Sequence, residues 1–246
     1  TTITQKLINL SGSATINFIA ISKLKELEIS FPSILEQQLI VAKLDASFAD
    51  IDKLINLEFL NIKNTESILT NSLSKIFLHK SKNSKEKEYE LGKICKIVGG
   101  GTPSKSNPKF YEGEIPWATV RDMKNDIIEK TQFKINKEAT IKSSTNIIPK
   151  ENIVISTRVG LGKVCILKND TAINQDLKGV IPINPKIVEV NFLFYWFKAI
   201  SKIIVEFGTG LTVQGVKLPF IKSLKINLPS INEQRIIINQ IQSLQS

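Results

Sequence analysis

From Ser33 to His79 the chain contains neither glycine nor proline, and that run constrains the fold more than any other feature. A breaker-free stretch of this length reads as one helix. Its start is marked twice. Pro32 precedes it, and Ser33-Ile34-Leu35-Glu36 forms a capping box, in which the serine hydroxyl accepts from the Glu36 amide and the Glu36 carboxylate reaches back to the Ser33 amide. Apolar residues then recur at Leu44, Phe48, Ile51, Ile55, Ile62, Leu69 and Ile76, on an alternating four-three spacing whose remaining positions hold Glu58, Thr65 and Ser72. That is a heptad seam with polar interruptions. About 45 residues at 1.5 Å each make a rod of roughly 65–70 Å. One domain of this size does not cover such a rod, so the pattern calls for a partner helix along the seam and leaves its orientation open. The alternative, a single exposed helix with a mild stripe, is weakened by the persistence of the seam.

The helix entry occurs twice. Ala14–Leu44 aligns without a gap to Leu211–Ile241 at a fixed offset of 197 residues, and the identities gather at Pro32-Ser33-Ile34 with Glu36-Gln37 and at Pro229-Ser230-Ile231 with Glu233-Gln234. Solenoid repeats have periods of roughly 20–50 residues, so this spacing points to two copies of a whole domain, with one copy and the tail of its predecessor in this chain. The first residue is Thr and the native start is expected to be missing; Thr1–Leu10 has the look of the end of a preceding domain's helix. The expected division is a tail of the preceding repeat at 1–32, the long helix at 33–80, a polar linker (SKNSKEKE) at 81–88, a globular domain at 89–229 and the start of a second long helix at 230–246.

The globular part mixes strands and helices. Short β-like runs lie at Ile94–Val98, Ile115–Val120, Asn152–Thr157, Lys163–Leu167 and Lys178–Ile183, punctuated by Gly, Pro, Asn and Ser. Asn191–Phe207 reads as one amphipathic or largely buried helix stopped by Gly208-Thr209-Gly210. A further strand is expected at Leu224–Leu228. The fold class expected is therefore α+β, a mixed α/β domain joined to a long α-helical coiled-coil spacer. Cys95 and Cys165 sit within apolar β-like runs, where buried free thiols are the first reading and a disulfide the second. One histidine, His79, and two distant cysteines do not assemble a zinc site. The start is polar, unlike a signal peptide, and no apolar run reaches the roughly 18 residues of a membrane helix.

The net charge of +10 is unevenly spread. Tyr89–Pro229 holds 21 Lys and Arg against 12 Asp and Glu, whereas Ser33–Lys80 holds five against six. A basic globular domain suits a polyanion, most often nucleic acid; lysines that only solvate the surface are the competing reading. Catalytic patterns are missing. Gly99-Gly100-Gly101-Thr102-Pro103-Ser104-Lys105-Ser106 resembles a phosphate loop, but Ser104 replaces the second glycine, Pro103 removes an amide, and Asn107-Pro108 resists opening a helix. No nucleophile-base pattern, dinucleotide fingerprint, amino-methyltransferase signature or metal-binding carboxylate pair is evident. The chain reads as a reader of nucleic acid rather than a cutter or modifier.

Candidate contacts follow from side-chain chemistry. Arginine pairs bidentately with guanine, and asparagine or glutamine with adenine. Arg121 follows Thr119 and Val120, Arg158 follows Thr157 at a strand end entering a glycine turn, and Asn174-Gln175-Asp176 follows another turn. Thr102, Ser104, Lys105 and Lys109 in the glycine-rich loop suit close approach to a phosphate backbone or groove, and Lys142, Ser144, Lys163, Thr212 and Gln214 complete the set. For each there is an ordinary alternative: Arg121 pairs with a surface carboxylate, or Asn174 caps a turn. Trp117, beside Pro116, reads as core rather than as a stacking platform. A coiled-coil scaffold with a basic head is the competing function; the charge of the head favours the reader.

These residues resemble the specificity subunit of type I restriction-modification enzymes. The resemblance rests on the repeated Pro-Ser-Ile-x-Glu-Gln helix entry, Leu91-Gly92-Lys93-Ile94, the Gly99–Lys105 turn, Gly113-Glu114-Ile115-Pro116-Trp117 and Asn174-Gln175-Asp176. It implies a target-recognition domain at about 89–229 that reads double-stranded DNA, and a long helix packed antiparallel on its counterpart to space two such domains. It implies methyltransferase (M) subunits bound to the helical region, with restriction (R) subunits joining the holoenzyme in a prokaryotic cytoplasm. No cofactor is expected on this chain: S-adenosylmethionine belongs to M and ATP to R. Family members carry two recognition domains and two long helices, whereas this chain holds one domain, one complete helix and the start of another. It is expected to be a natural or engineered half-subunit, pairing with itself or another half-subunit through the long helix and reading one half of a bipartite target.

Overall fold

A computed structural model of the chain describes residues 7–8, 19, 21–25, 27–78, 87–208 and 215–243. Two compact units divide at Ile62 and Lys63. In the first, a short helix α1 (Ile21–Lys25) and an extended segment lead into α2 (Ile34–Leu78), the long helix that continues into the second unit. The Ser33 hydroxyl accepts from the Glu36 amide at 3.3 Å, and the Gln37 side-chain amide donates to the Pro32 carbonyl at 2.8 Å. The seam residues Leu44, Phe48, Ile51, Ile55 and Ile62 are between 49% and 60% exposed.

The second unit begins with the last turns of α2. In chain order there follow β1 (Lys87–Glu90), α3 (Leu91–Ile94), β2 (Cys95–Gly99), β3 (Ile115–Ala118), β4 (Ile127–Ile128), β5 (Phe133–Ile135), α4 (Lys137–Ile141), β6 (Asn146–Ile148), β7 (Ile153–Ser156), β8 (Val164–Leu167), β9 (Thr171–Ile173) and β10 (Leu177–Pro182). Then come α5 (Val190–Ala199), α6 (Ser201–Gly208), α7 (Leu218–Ser223), β11 (Lys225–Leu228) and α8 (Ile231–Ser243). One sheet has the order β2-β10-β7-β8-β4, antiparallel except for the parallel β4/β8 edge. A second has the order β5-β3-β9-β6, with β3 and β9 parallel. This is the α+β fold with a long helical spacer that the sequence predicts.

The five-stranded sheet is buried on both faces. Ile153 and Ile155 of β7 and Val164 of β8 face a large core with Phe192, Leu193, Phe197 and Ile204, while Val154, Cys165 and Leu167 face a second core with Ile148, Ile173 and Leu177. Two-sided burial explains why these strands read as unbroken apolar runs rather than as an apolar-polar alternation. Cys95 and Cys165 are buried and unpaired with each other, and burial pushes both thiols up to about 12.

Three local features depart from the sequence expectation. The helix expected over Asn191–Phe207 is two helices, α5 and α6, joined at Ile200. Both halves are apolar, and the bend lets α5 bury Phe192 through Phe197 all around while α6 buries only Ile204 and Gly208. Strand β1 starts at Lys87, inside the stretch read as linker, and pairs antiparallel with β11, which joins the two ends of the domain. At the end of α2, Leu69, Leu73 and Phe77 pack on the domain's own core, with the Phe77 ring edge-on to Phe192 at 5.0 Å. Leu69 therefore serves its own domain rather than a partner helix, and Ile76, 38% exposed, lies off that buried face.

The repeated helix entry is built alike in both copies. At α8 the capping box is closed: the Ser230 amide donates to the Glu233 carboxylate at 2.9 Å, and the Glu233 amide donates to the Ser230 hydroxyl at 3.4 Å. The Gln234 side-chain amide donates to the Pro229 carbonyl at 3.0 Å, as Gln37 does to Pro32. The surroundings differ. Gln234 is fully buried; its amide also donates to the Ile187 carbonyl at 2.8 Å and accepts from the Glu189 amide at 3.0 Å. Gln37 is exposed.

Candidate nucleic-acid interface

Three loops meet around the glycine run that follows β2. A Cβ on Gly100 would lie 2.0 Å from the Asn174 carbonyl oxygen, and one on Gly101 would lie 2.2 Å from the Ser144 hydroxyl. A side chain at either position would push the loops apart, which is why both are glycine. The Gly101 amide donates to the Ile173 carbonyl at 3.0 Å, the Asn146 side chain donates to the Gly99 carbonyl at 2.8 Å, and the Trp117 indole donates to the Gly101 carbonyl at 3.2 Å. Trp117 is buried, with Tyr111 edge-on at 5.9 Å. The Tyr111 hydroxyl, its pKa raised by burial, donates to the Pro103 carbonyl at 2.8 Å. The glycine run is thus a packing device, and the next helical turn, Pro108–Tyr111, is a short 3₁₀ segment with proline in its first turn rather than the helix N-terminus a phosphate loop needs.

The glycine turn after β7 joins this group. The Thr157 amide donates to the Asp176 carbonyl at 2.8 Å, and the Val216 amide donates to the Thr157 carbonyl at 2.8 Å. Arg158, its side chain 61% exposed, has Nη1 at 3.6 Å from the Asp176 carboxylate. Thr102 and Gln175 join their loops through a side-chain hydrogen bond. Gly160 has a φ of 65°, and a Cβ there would lie 2.9 Å from Val120, so this turn lies against the one that carries Arg121. Lys178 donates to the Gln175 and Leu177 carbonyls at 2.9 and 3.1 Å, and burial holds its ammonium below the usual lysine range.

Among the described side chains predicted to make contacts, Thr102 and Thr119 are half-buried and the others fall into two groups. Ser104, Lys105, Lys109, Arg121, Lys142, Ser144, Arg158, Lys163 and Gln175 are exposed. Of these, Lys142 pairs with Glu138 at 2.6 Å, and Lys163 reaches back to the Met123 carbonyl at 3.3 Å. The other group faces inward. Thr157 is 2% exposed and Asn174 6%. The Asn174 amide is used within its own turn: its nitrogen donates to the Asp176 carboxylate at 3.1 Å and its oxygen accepts from the Asp176 amide at 3.2 Å. Thr119 caps the Val120–Asp122 turn through a capping box with Asp122. These three residues shape the loops instead of offering free edges. Thr212 and Gln214 lie outside the described residues, as does His79. Asp176, which ties four of these groups together, belongs to the Asn174-Gln175-Asp176 element but was not among the predicted contacts.

Residues 83–246 match the family of the type I restriction modification DNA specificity domain. The chain belongs to that family. The chain is 36% identical over 164 residues to the type I restriction enzyme EcoR124I/EcoR124II specificity subunit of Escherichia coli, a match covering 63% of this chain and 40% of that protein. It is 30% identical over 164 residues to the type I restriction enzyme MjaIX specificity subunit of Methanocaldococcus jannaschii, covering 61% of this chain and 38% of that one. The fold is similar to that of the HsdS subunit from Thermoanaerobacter tengcongensis, with a TM-score of 0.60 at 20% identity, covering 99% of this chain and 59% of that structure. The chain spans about half the length, or less, of the relatives it matches. Among the described residues no helix is long and apolar enough to cross a membrane.

Proposed function

We propose that this chain reads one half of a bipartite double-stranded DNA target for a type I restriction-modification enzyme and carries no catalytic site of its own. The observation that supports this most is the convergence of the glycine run, the Arg158 turn and the Asn174–Asp176 turn, which brings an exposed arginine and an exposed glutamine onto one set of packed loops. Arg158 and Gln175 have the chemistry to read base edges, and Lys105, Lys109, Arg121 and Ser104 to hold phosphates. Methyl transfer, with S-adenosylmethionine, falls to M subunits, and ATP-driven restriction to R subunits. The half-exposed seam from Leu44 to Ile62 suits a second long helix, so a second copy, or another half-subunit, supplies the other half of the target.

DNA binding by the chain with its M partner is expected to fall on the order of 10³-fold between about 50 and 200 mM salt, because neutralised phosphates release their counterions. A filter-binding or gel-shift series on duplex DNA measures this. A flat salt response would favour the scaffold reading.

A further inference from the structure

We infer that Asp176 is the positioning residue for base reading: it orients Arg158 and Gln175, and it acts on sequence discrimination through them. This rests on the reading of those two side chains as base contacts. Asp176 sits where a carboxylate is costly, among basic loops meant for a polyanion, yet its side chain is only 15% exposed and every part of it is engaged. One carboxylate oxygen faces Arg158 Nη1 at 3.6 Å. The other accepts from the Asn174 amide at 3.1 Å and from the Gln175 amide at 3.4 Å. Its backbone carbonyl accepts from the Thr157 amide at 2.8 Å and the Thr157 hydroxyl at 3.1 Å. A single residue therefore joins the turn bearing Arg158 to the turn bearing Gln175.

The geometry divides the work. Asn174 spends both ends of its amide on Asp176 and keeps that carboxylate in place. The Gln175 side-chain oxygen accepts from Thr102 and one of its N–H groups donates to Asp176, which leaves its other N–H without a partner among the described residues. The remaining N–H donors of the Arg158 guanidinium have no partner among the described residues. A free arginine loses much rotamer freedom when it docks on a base. One already held against a carboxylate loses less, and presents one chosen edge. Discrimination depends on that edge, whereas attraction to phosphate depends only on charge. Removing the carboxylate should separate the two.

The test uses the chain with its M partner, the methylated target and its single-base variants, and random duplex, for wild type, Arg158→Ala, Asp176→Asn and the double variant. Asp176→Asn is expected to lower discrimination at the position read by Arg158 by about three- to fivefold, and to leave random-duplex binding equal or tighter because a negative charge is gone. In the Arg158→Ala background it should change nothing further at that position. Unfolding midpoints are measured alongside, and Asp176→Ser, read in the same way, replaces Asp176→Asn if the latter unfolds early. Full discrimination in Asp176→Asn when Arg158→Ala has lost it would overturn the positioning role. So would an equal loss on target and random duplex. Unchanged discrimination in Arg158→Ala would instead reject the base-reading assignment underneath.

Discussion

Replacing Gln234 by alanine is expected to destabilise the recognition domain by about 3 kcal/mol, and replacing Gln37 in the same motif by less than about 0.5 kcal/mol. The two glutamines occupy equivalent places in the repeat, and each donates to the carbonyl of the proline five residues back. Only Gln234 also holds the chain just before α5, through the Ile187 carbonyl and the Glu189 amide. Truncation would remove all three of these part-buried hydrogen bonds, to the Ile187 and Pro229 carbonyls and from the Glu189 amide, each worth about 1 kcal/mol. Glutamate would not substitute, since a carboxylate has no N–H for the two carbonyls. Urea unfolding of the two variants measures the difference. Equal shifts in midpoint would mean that the buried amide does not anchor α8 to the domain.

The second large effect concerns reading rather than folding. Arg158→Ala is expected to cost about 1–3 kcal/mol of discrimination at one base pair, between roughly five- and 150-fold, with the unfolding midpoint unchanged. Its side chain is largely exposed and has a single ion pair to Asp176, and an exposed pair of that kind adds little stability. Competition binding against a library of single-base target variants resolves the position. A uniform weakening across all variants would make Arg158 a phosphate contact instead.

How far the sequence revealed this arrangement depended on whether a local rule decided the outcome. The long helix was legible because no breaker interrupts it and Ser33 caps it. The central strands were legible because burial on both faces leaves unbroken apolar runs such as Ile153–Ile155. The bend at Ile200 was not, since apolar residues lie on both sides and no glycine or proline marks it. Strand β1 was hidden because its partner, β11, lies far along the chain. The face Leu69-Leu73-Phe77 departs from the heptad grid because the last turns of α2 pack on their own domain. In the interface, the glycine run, Arg158 and Gln175 could be picked out by chemistry. Asn174 and Thr157 looked identical as base readers and as turn-forming residues, and only their burial separates the two roles.

Mapping methylated sites in DNA from cells that carry this chain with its M subunit tests the central claim most directly. Methylation is expected to be confined to one bipartite sequence, with two identical half-sites inverted about a spacer when this chain pairs with a copy of itself. Methylation with no sequence preference would contradict it, as would a pattern unchanged when this chain is omitted.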